Sequence, residues 1–130
     1  MDDCIFCQIV AGKLPSYKIY EDENFLGFLD IRPLNLGHCL LIPKKHYQWV
    51  CDVPNFGEYW EAAKKLALAV KKATKATTIN FLVSGEEIPH AHIWIIPRFY
   101  NDGGVLRLIN MKKFSEEEMK SVADKIRSSF

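Results

Sequence analysis

Residues 90–98 read HAHIWIIPR, and no other run limits more tightly what this chain can fold into. A short apolar segment ended by a proline suits a β-strand. Side chains along a strand alternate between its two faces. His90, His92, Trp94 and Ile96 then share one face, and Ala91, Ile93 and Ile95 share the other. The second set has the composition of a core. The first faces a pocket or a helix. Two histidines beside an indole leave three readings open: a catalytic pair, metal ligands, or side chains with a purely structural role.

The remaining bulk properties narrow the field. A chain of 130 residues is near the usual size of one domain, so residues 1–130 are read as a single unit with its own core. Seventeen basic and 16 acidic residues leave a formal charge of +1. That balance argues against a charge-driven nucleic-acid or membrane surface. No apolar stretch is long enough to span a bilayer. The first residues, MDDCIFCQI, carry no basic region ahead of an apolar run, so no secretory signal is visible. Two of the four cysteines form a close C-x-x-C pair, and reduced cysteines in a cytoplasmic protein are expected.

Hydrophobic periodicity places the elements. YKIYEDENFLGFLD, residues 17–30, reads as two strands around a polar turn at 21–24. HCLLIP, residues 38–43, is a third strand, and TTINFLVS, residues 77–84, a fourth that precedes the histidine strand. Between them, residues 55 to about 75 form a helix. Phe56, Tyr59, Trp60, Ala63, Leu66, Ala67, Val70 and Ala73 recur on one face, and Asn55 with Glu58 has capping-box spacing. Lys64, Lys65, Lys71 and Lys72 make a solvated opposite face. SEEEMKSVADKIRSSF is a second helix, with Ser115 and Glu118 as its capping box and Met119, Val122, Ala123 and Ile126 on its apolar side. Short strands and two principal helices predict an α+β domain with an antiparallel β-sheet. Few strands leave edges that a dimer would cover.

The histidine strand also suggests chemistry. A neutral imidazole is a good nucleophile when one ring nitrogen is free and the other donates to a fixed acceptor. The C-x-x-C of Cys4 and Cys7 is a zinc signal when two further ligands exist, with a redox dithiol as its competitor. Cys39 and Cys51 read as small buried or half-buried hydrophobes.

HAHIWIIPR resembles the signature of the histidine triad (HIT) family, in which three histidines alternate with apolar residues. CIFCQIVAGKLPSYKIYED and FLGFLDIRPLNLGHCLLIPKKH agree with the family in the same order, so the resemblance runs from Cys4 to about Tyr100. It implies a HIT-like fold, a homodimer with a sheet continued across its interface, and a pocket for a purine nucleotide such as adenosine monophosphate or its conjugates. On that resemblance His92 is the nucleophile that forms a phosphohistidine on the α-phosphate. His38 lies near the active centre. Asp30 holds the ribose hydroxyls, and Phe28, Leu29 and Ile31 line the base pocket. Asn80 is the nearest match to a family asparagine, one place off. Bacterial-type relatives bind a structural Zn2+ through residues matching Cys4, Cys7, His46 and His90. No catalytic metal is required.

The chain also departs from the family pattern. Trp94 stands where the third histidine belongs, and an indole cannot shuttle a proton. Glu86 and Glu87 occupy the phosphate loop, where Glu86 replaces a glutamine that can donate to phosphate. Glu86 would point away, bind a metal, or favour a cationic leaving group. The expected activity is a phosphohydrolase or nucleotidyl transferase acting on a nucleoside phosphoramidate or dinucleoside polyphosphate. The alternative is a catalytically weak or inactive nucleotide-binding or interaction protein on the same scaffold.

Overall fold

The structure is a computed structural model that describes residues 3–100, 102 and 114–128. A short helix α1 (Ile5–Val10) leads into the hairpin β1 (Lys18–Glu21) and β2 (Phe25–Leu29). The side chain of Asp22 closes that hairpin by accepting from the backbone N–H groups of Asn24 and Phe25. Next come β3 (Cys39–Pro43), a single 3-10 turn (Val50–Asp52) and the long helix α2 (Phe56–Thr74). The strands β4 (Thr78–Leu82) and β5 (Ile93–Arg98) follow, and α3 (Glu116–Arg127) comes last.

The five strands make one sheet in the order β1-β2-β3-β5-β4, and every pairing is antiparallel. The fold is therefore α+β, as the patterning predicts. The alternation of the strands separates two apolar layers. Phe25, Cys39, Leu41, Ala91, Ile93 and Ile95 face α2, which buries Tyr59, Ala62, Ala63, Leu66, Ala67 and Val70 against them. Leu26, Phe28, Leu40, Ile42 and Trp94 lie on the opposite face, where α1 covers them with Phe6 and Ile9. Tyr59 ties helix to sheet, its hydroxyl donating to the Leu41 carbonyl oxygen at 2.7 Å. Among the described residues no helix is long and apolar enough to cross a membrane.

Several sequence expectations are corrected in detail. The Asn55 side chain does not cap α2; its amide donates to Glu58 instead. Ala73 and Phe56 are exposed, because the buried stripe of α2 runs through Ala62 rather than on to the last turn. Cys51 is exposed, since it sits on the outer side of the 3-10 turn, whereas Cys39 is fully buried. β5 begins at Ile93, so His90 ends the bend before it, its N–H donating to the Ile88 carbonyl oxygen at 2.8 Å, and His92 lies in the short segment leading into the strand. There the Ala91 N–H donates to the Tyr47 carbonyl oxygen, beyond the end of β3, at 2.7 Å. The Ser115 capping box on α3 forms in both directions. Met119 and Val122 are exposed on that helix, and the Ile126 side chain and residues 129–130 lie outside the described residues.

Candidate active site and metal cluster

The metal cluster grows out of the start of α1. Cys4 is the N-cap, with extended backbone, and its sulfur accepts from the Cys7 N–H at 3.4 Å. The x-x spacing therefore folds both thiols onto one end of a single helical turn. His46 follows β3, and His90 precedes β5 on the neighbouring strand. The four ligand atoms lie within 4.8 Å of one another. Cys4 Sγ is 3.4 Å from His90 Nδ1, Cys7 Sγ is 3.5 Å from the same nitrogen, and Cys7 Sγ is 3.2 Å from His46 Nδ1.

These distances fit a tetrahedral ion. Metal–sulfur bonds of about 2.3 Å and metal–nitrogen bonds of about 2.0–2.1 Å give sulfur–nitrogen edges of about 3.5 Å. His90 is fully buried, and its Nε2–H donates to the Pro43 carbonyl oxygen at 2.8 Å. That bond fixes the tautomer and leaves Nδ1 free as a ligand. Burial pushes the Cys7 thiol up to about 11, reinforced by the adjacent Cys4. Without an ion this thiol stays protonated, so binding a metal must release its proton.

The second cluster adjoins the first along the same segment. His92 is 6% exposed, and its Nδ1–H donates to the His90 carbonyl oxygen at 2.7 Å. That orientation leaves Nε2 with the lone pair and no hydrogen bond among the described residues. Phe6 packs an edge against the ring at 5.4 Å. His38 is buried beneath Trp94, with ring centres 4.9 Å apart. Its Nδ1 accepts from the Leu34 N–H at 3.0 Å, while Nε2 stands 3.6 Å from Asp30, too far for a hydrogen bond, and has no partner. Burial holds the His38 ring below the usual histidine range, opposed in part by the Asp30 charge.

Asp30 is half-buried at the end of β2, and its Oδ1 accepts from the Arg32 N–H. Phe28 is buried against Phe6 in the core layer, and Ile31 is 82% exposed. Asn80 is half-buried on β4, in register with Ile96 and on the Trp94 face. Glu86 and Glu87 are both exposed on the loop between β4 and β5. Trp94 is half-buried, in register with Leu40. Sequence reasoning missed Phe6, which touches the rings of both His90 and His92. It also missed Trp49 and Ser84, which border a small cavity beside His92. No motif marks them in the sequence.

An antiparallel α+β sheet carrying this histidine pair, with a cysteine pair packed behind it, defines a histidine triad architecture. The sequence profile of the HIT domain matches residues 11–101, and the chain belongs to the HIT family. A HIT-like protein of Methanocaldococcus jannaschii is 38% identical over 122 residues, spanning 89% of this chain and 95% of that one. The adenosine 5′-monophosphoramidase of Saccharomyces cerevisiae is 35% identical, spanning 79% of this chain and 67% of that one. Among solved structures, a Streptococcus mutans protein superposes with a TM-score of 0.87 at 36% identity, covering 99% of this chain and 86% of that one. A zinc-bound histidine triad protein of Mycobacterium smegmatis does so with a TM-score of 0.72 at 31% identity, covering 99% of each.

Proposed function

We propose that this chain is a nucleotide hydrolase or nucleotidyl transferase that works through a phosphohistidine on His92. One observation carries the reading: the 2.7 Å bond from His92 Nδ1 to the His90 carbonyl oxygen presets the tautomer that a nucleophilic Nε2 requires. The named activity of the yeast relative, a monophosphoramidase, supports a nucleoside phosphoramidate as substrate.

In the first step Nε2 forms a bond to the α-phosphorus as the bond to the leaving group breaks. The leaving group departs with the bonding pair and takes a proton from solvent, because Trp94 has none to give at neutral pH. Water then attacks phosphorus, the pair of the P–N bond returns to Nε2, and the nucleoside monophosphate leaves. Asp30 holds the ribose hydroxyls. His38, packed at a tilt against Trp94, supports the site from below, and Asn80 flanks it. Glu86 and Glu87 border the phosphate loop as solvated charges.

The metal is zinc, held by Cys4, Cys7, His46 and His90, and its role is structural. The zinc-bound relative and the ligand distances support this assignment. Residues 1–130 act as one domain, in the cytoplasm, as a homodimer that pairs through the open edge of β4.

The test compares the native chain with His92→Ala on adenosine 5′-phosphoramidate. The substitution is expected to remove turnover by at least about a hundredfold while leaving adenosine monophosphate binding. Equal turnover would sink the reading. Binding without turnover in the native chain would favour a second one, a non-enzymatic nucleotide-binding protein, which the Trp94 replacement motivates.

A further inference from the structure

Residues 30–38 run from the end of β2 to the start of β3, with Asp30 at one end and His38 at the other. The Asp30 N–H closes the base of this loop on the His38 carbonyl oxygen at 2.9 Å. Little apolar burial holds the rest of it. Ile31, Leu34 and Leu36 are exposed, and so are Arg32 and Pro33. Among the described residues, the hydrogen bonds that tie residues 31–37 to elements outside the loop come from one side chain, Asn35. Its amide donates to the Pro97 carbonyl oxygen at 2.9 Å and to Asp102 Oδ2 at 3.1 Å. The backbone carbonyl oxygen of Asn35 accepts from the His38 N–H at 3.0 Å.

Both acceptors are fixed by the end of β5. That strand pairs with β3 only as far as Cys39 opposite Ile95. Two residues on, the Pro97 carbonyl has passed the end of β3, and the Asn35 amide stands in for a strand partner. Proline brings no N–H to that edge, so a ladder could not continue there. Asp102 is held as firmly. Its Oδ1 accepts from the buried Arg98 guanidinium, and its Oδ2 from the Phe99 N–H at 2.8 Å. A carbonyl oxygen and a carboxylate oxygen both lack a proton, so the group between them must offer two donors. The two hydrogens of one amide nitrogen meet that need, whereas a carboxylate at position 35 would be repelled.

We propose that Asn35 is a positioning residue: clamped by Pro97 and Asp102, it sets the loop that presents Asp30 and His38, and so governs how tightly the ribose of a nucleotide is held. This rests on Asp30 as the ribose ligand. The clamp acts on binding and not on the chemical step, because His92 takes its aim from the His90 carbonyl oxygen on another segment. An exposed loop with one polar anchor loses much of its order when that anchor goes. Asp30 then no longer meets the ribose hydroxyls in a fixed geometry.

The test compares calorimetric binding of adenosine 5′-monophosphate with that of its 2′,3′-dideoxy analogue. The native chain is expected to prefer the ribose form by about tenfold, and Asn35→Ala to lose most of that preference. On adenosine 5′-phosphoramidate the same variant is expected to raise KM while kcat stays within about twofold. Asn35→Asp should also bind weakly, and adding Asp102→Asn, which exchanges the two side chains, should recover about fivefold in affinity. Amide exchange in peptides spanning residues 30–38 should be faster in Asn35→Ala and return toward native in the exchanged pair. A ribose preference that survives Asn35→Ala, no recovery in the exchanged pair, or a loss carried by kcat overturns the positioning role. A native chain that binds both nucleotides equally overturns Asp30 as the ribose ligand. In that case unaltered exchange in Asn35→Ala overturns the clamp as well, and faster exchange upholds it. The binding and exchange measurements need no turnover, so they decide the matter for an inactive chain too.

Discussion

Trp94 and His38 form the pair that most separates this site from a three-histidine one. The indole packs on the imidazole at 4.9 Å, and it seals the ring from solvent without replacing a proton carrier. The buried His38 resists protonation more than the same ring in the unfolded chain, because burial holds it below the usual range. As pH falls below about 6.5, the unfolded chain takes up protons first. Stability from this group is therefore present at neutral pH and lost on acidification. His90 adds in the same direction when no metal is bound, again chiefly through burial. Urea melts at pH 7.5 and 5.5 are expected to show lower stability at the acid pH, with a smaller difference in His38→Asn. At this scale the sequence made the cluster of Cys4, Cys7, His46 and His90 legible, the cysteines through their C-x-x-C spacing and the two histidines through the family resemblance. It left Phe6 and Trp49 illegible, because their roles depend on which distant segments meet them. Cys51 was misread, since being next to Val50 says nothing about which side of a turn a thiol occupies.

At the level of elements, the strand pattern carried most of the fold. Alternation in CLLIP and FLGFL assigns each side chain to its layer, and the register of β2 with β3 agrees at every pair. The turn before β3 is less readable. Gly37 there has φ +98°, and an added Cβ would lie 2.7 Å from Thr74 Cγ2. Gly37→Ala is expected to cost about 1–3 kcal/mol in chemical denaturation, and to disturb His38 beside it. Tyr59→Phe removes the donor that joins α2 to Leu41, and a loss of about 1 kcal/mol is expected in the same assay. The start of β5 was misplaced because the Ala91 N–H can pair with Tyr47 as well as with a strand. Periodicity cannot choose between two acceptors that only the tertiary structure supplies. Helix α1 was missed for a related reason: six residues are too few for a periodic signal, and the turn is held by the cysteine cap and by packing.

For the whole molecule, the central question is what holds the N-terminal segment to the sheet. Phe6 and Ile9 bury apolar surface there, and a metal held by Cys4, Cys7, His46 and His90 would add a second attachment. Removing a bound metal with a chelator is expected to lower Tm by at least about 5 °C and to expose residues near α1 to hydrogen exchange. A melt unchanged by the chelator would argue that packing alone suffices. The position of β4 at the edge of the sheet among the described residues, with the half-exposed Phe81 on it, makes the assembly state a second global test. Sedimentation is expected to give a dimer, and Phe81→Lys a monomer. One peptide unit joins the local and global accounts. The ring of His90 points to the cysteines, while its carbonyl oxygen accepts the hydrogen bond of His92 Nδ1–H. Any tilt of that peptide plane is felt at both ends. His90→Ala is therefore an ambiguous probe, because a loss of activity in it cannot be divided between the two clusters. Cys4→Ser and Cys7→Ser disturb one end only, and comparing them with His90→Ala measures how far the N-terminal segment governs the aim of a ring two residues away.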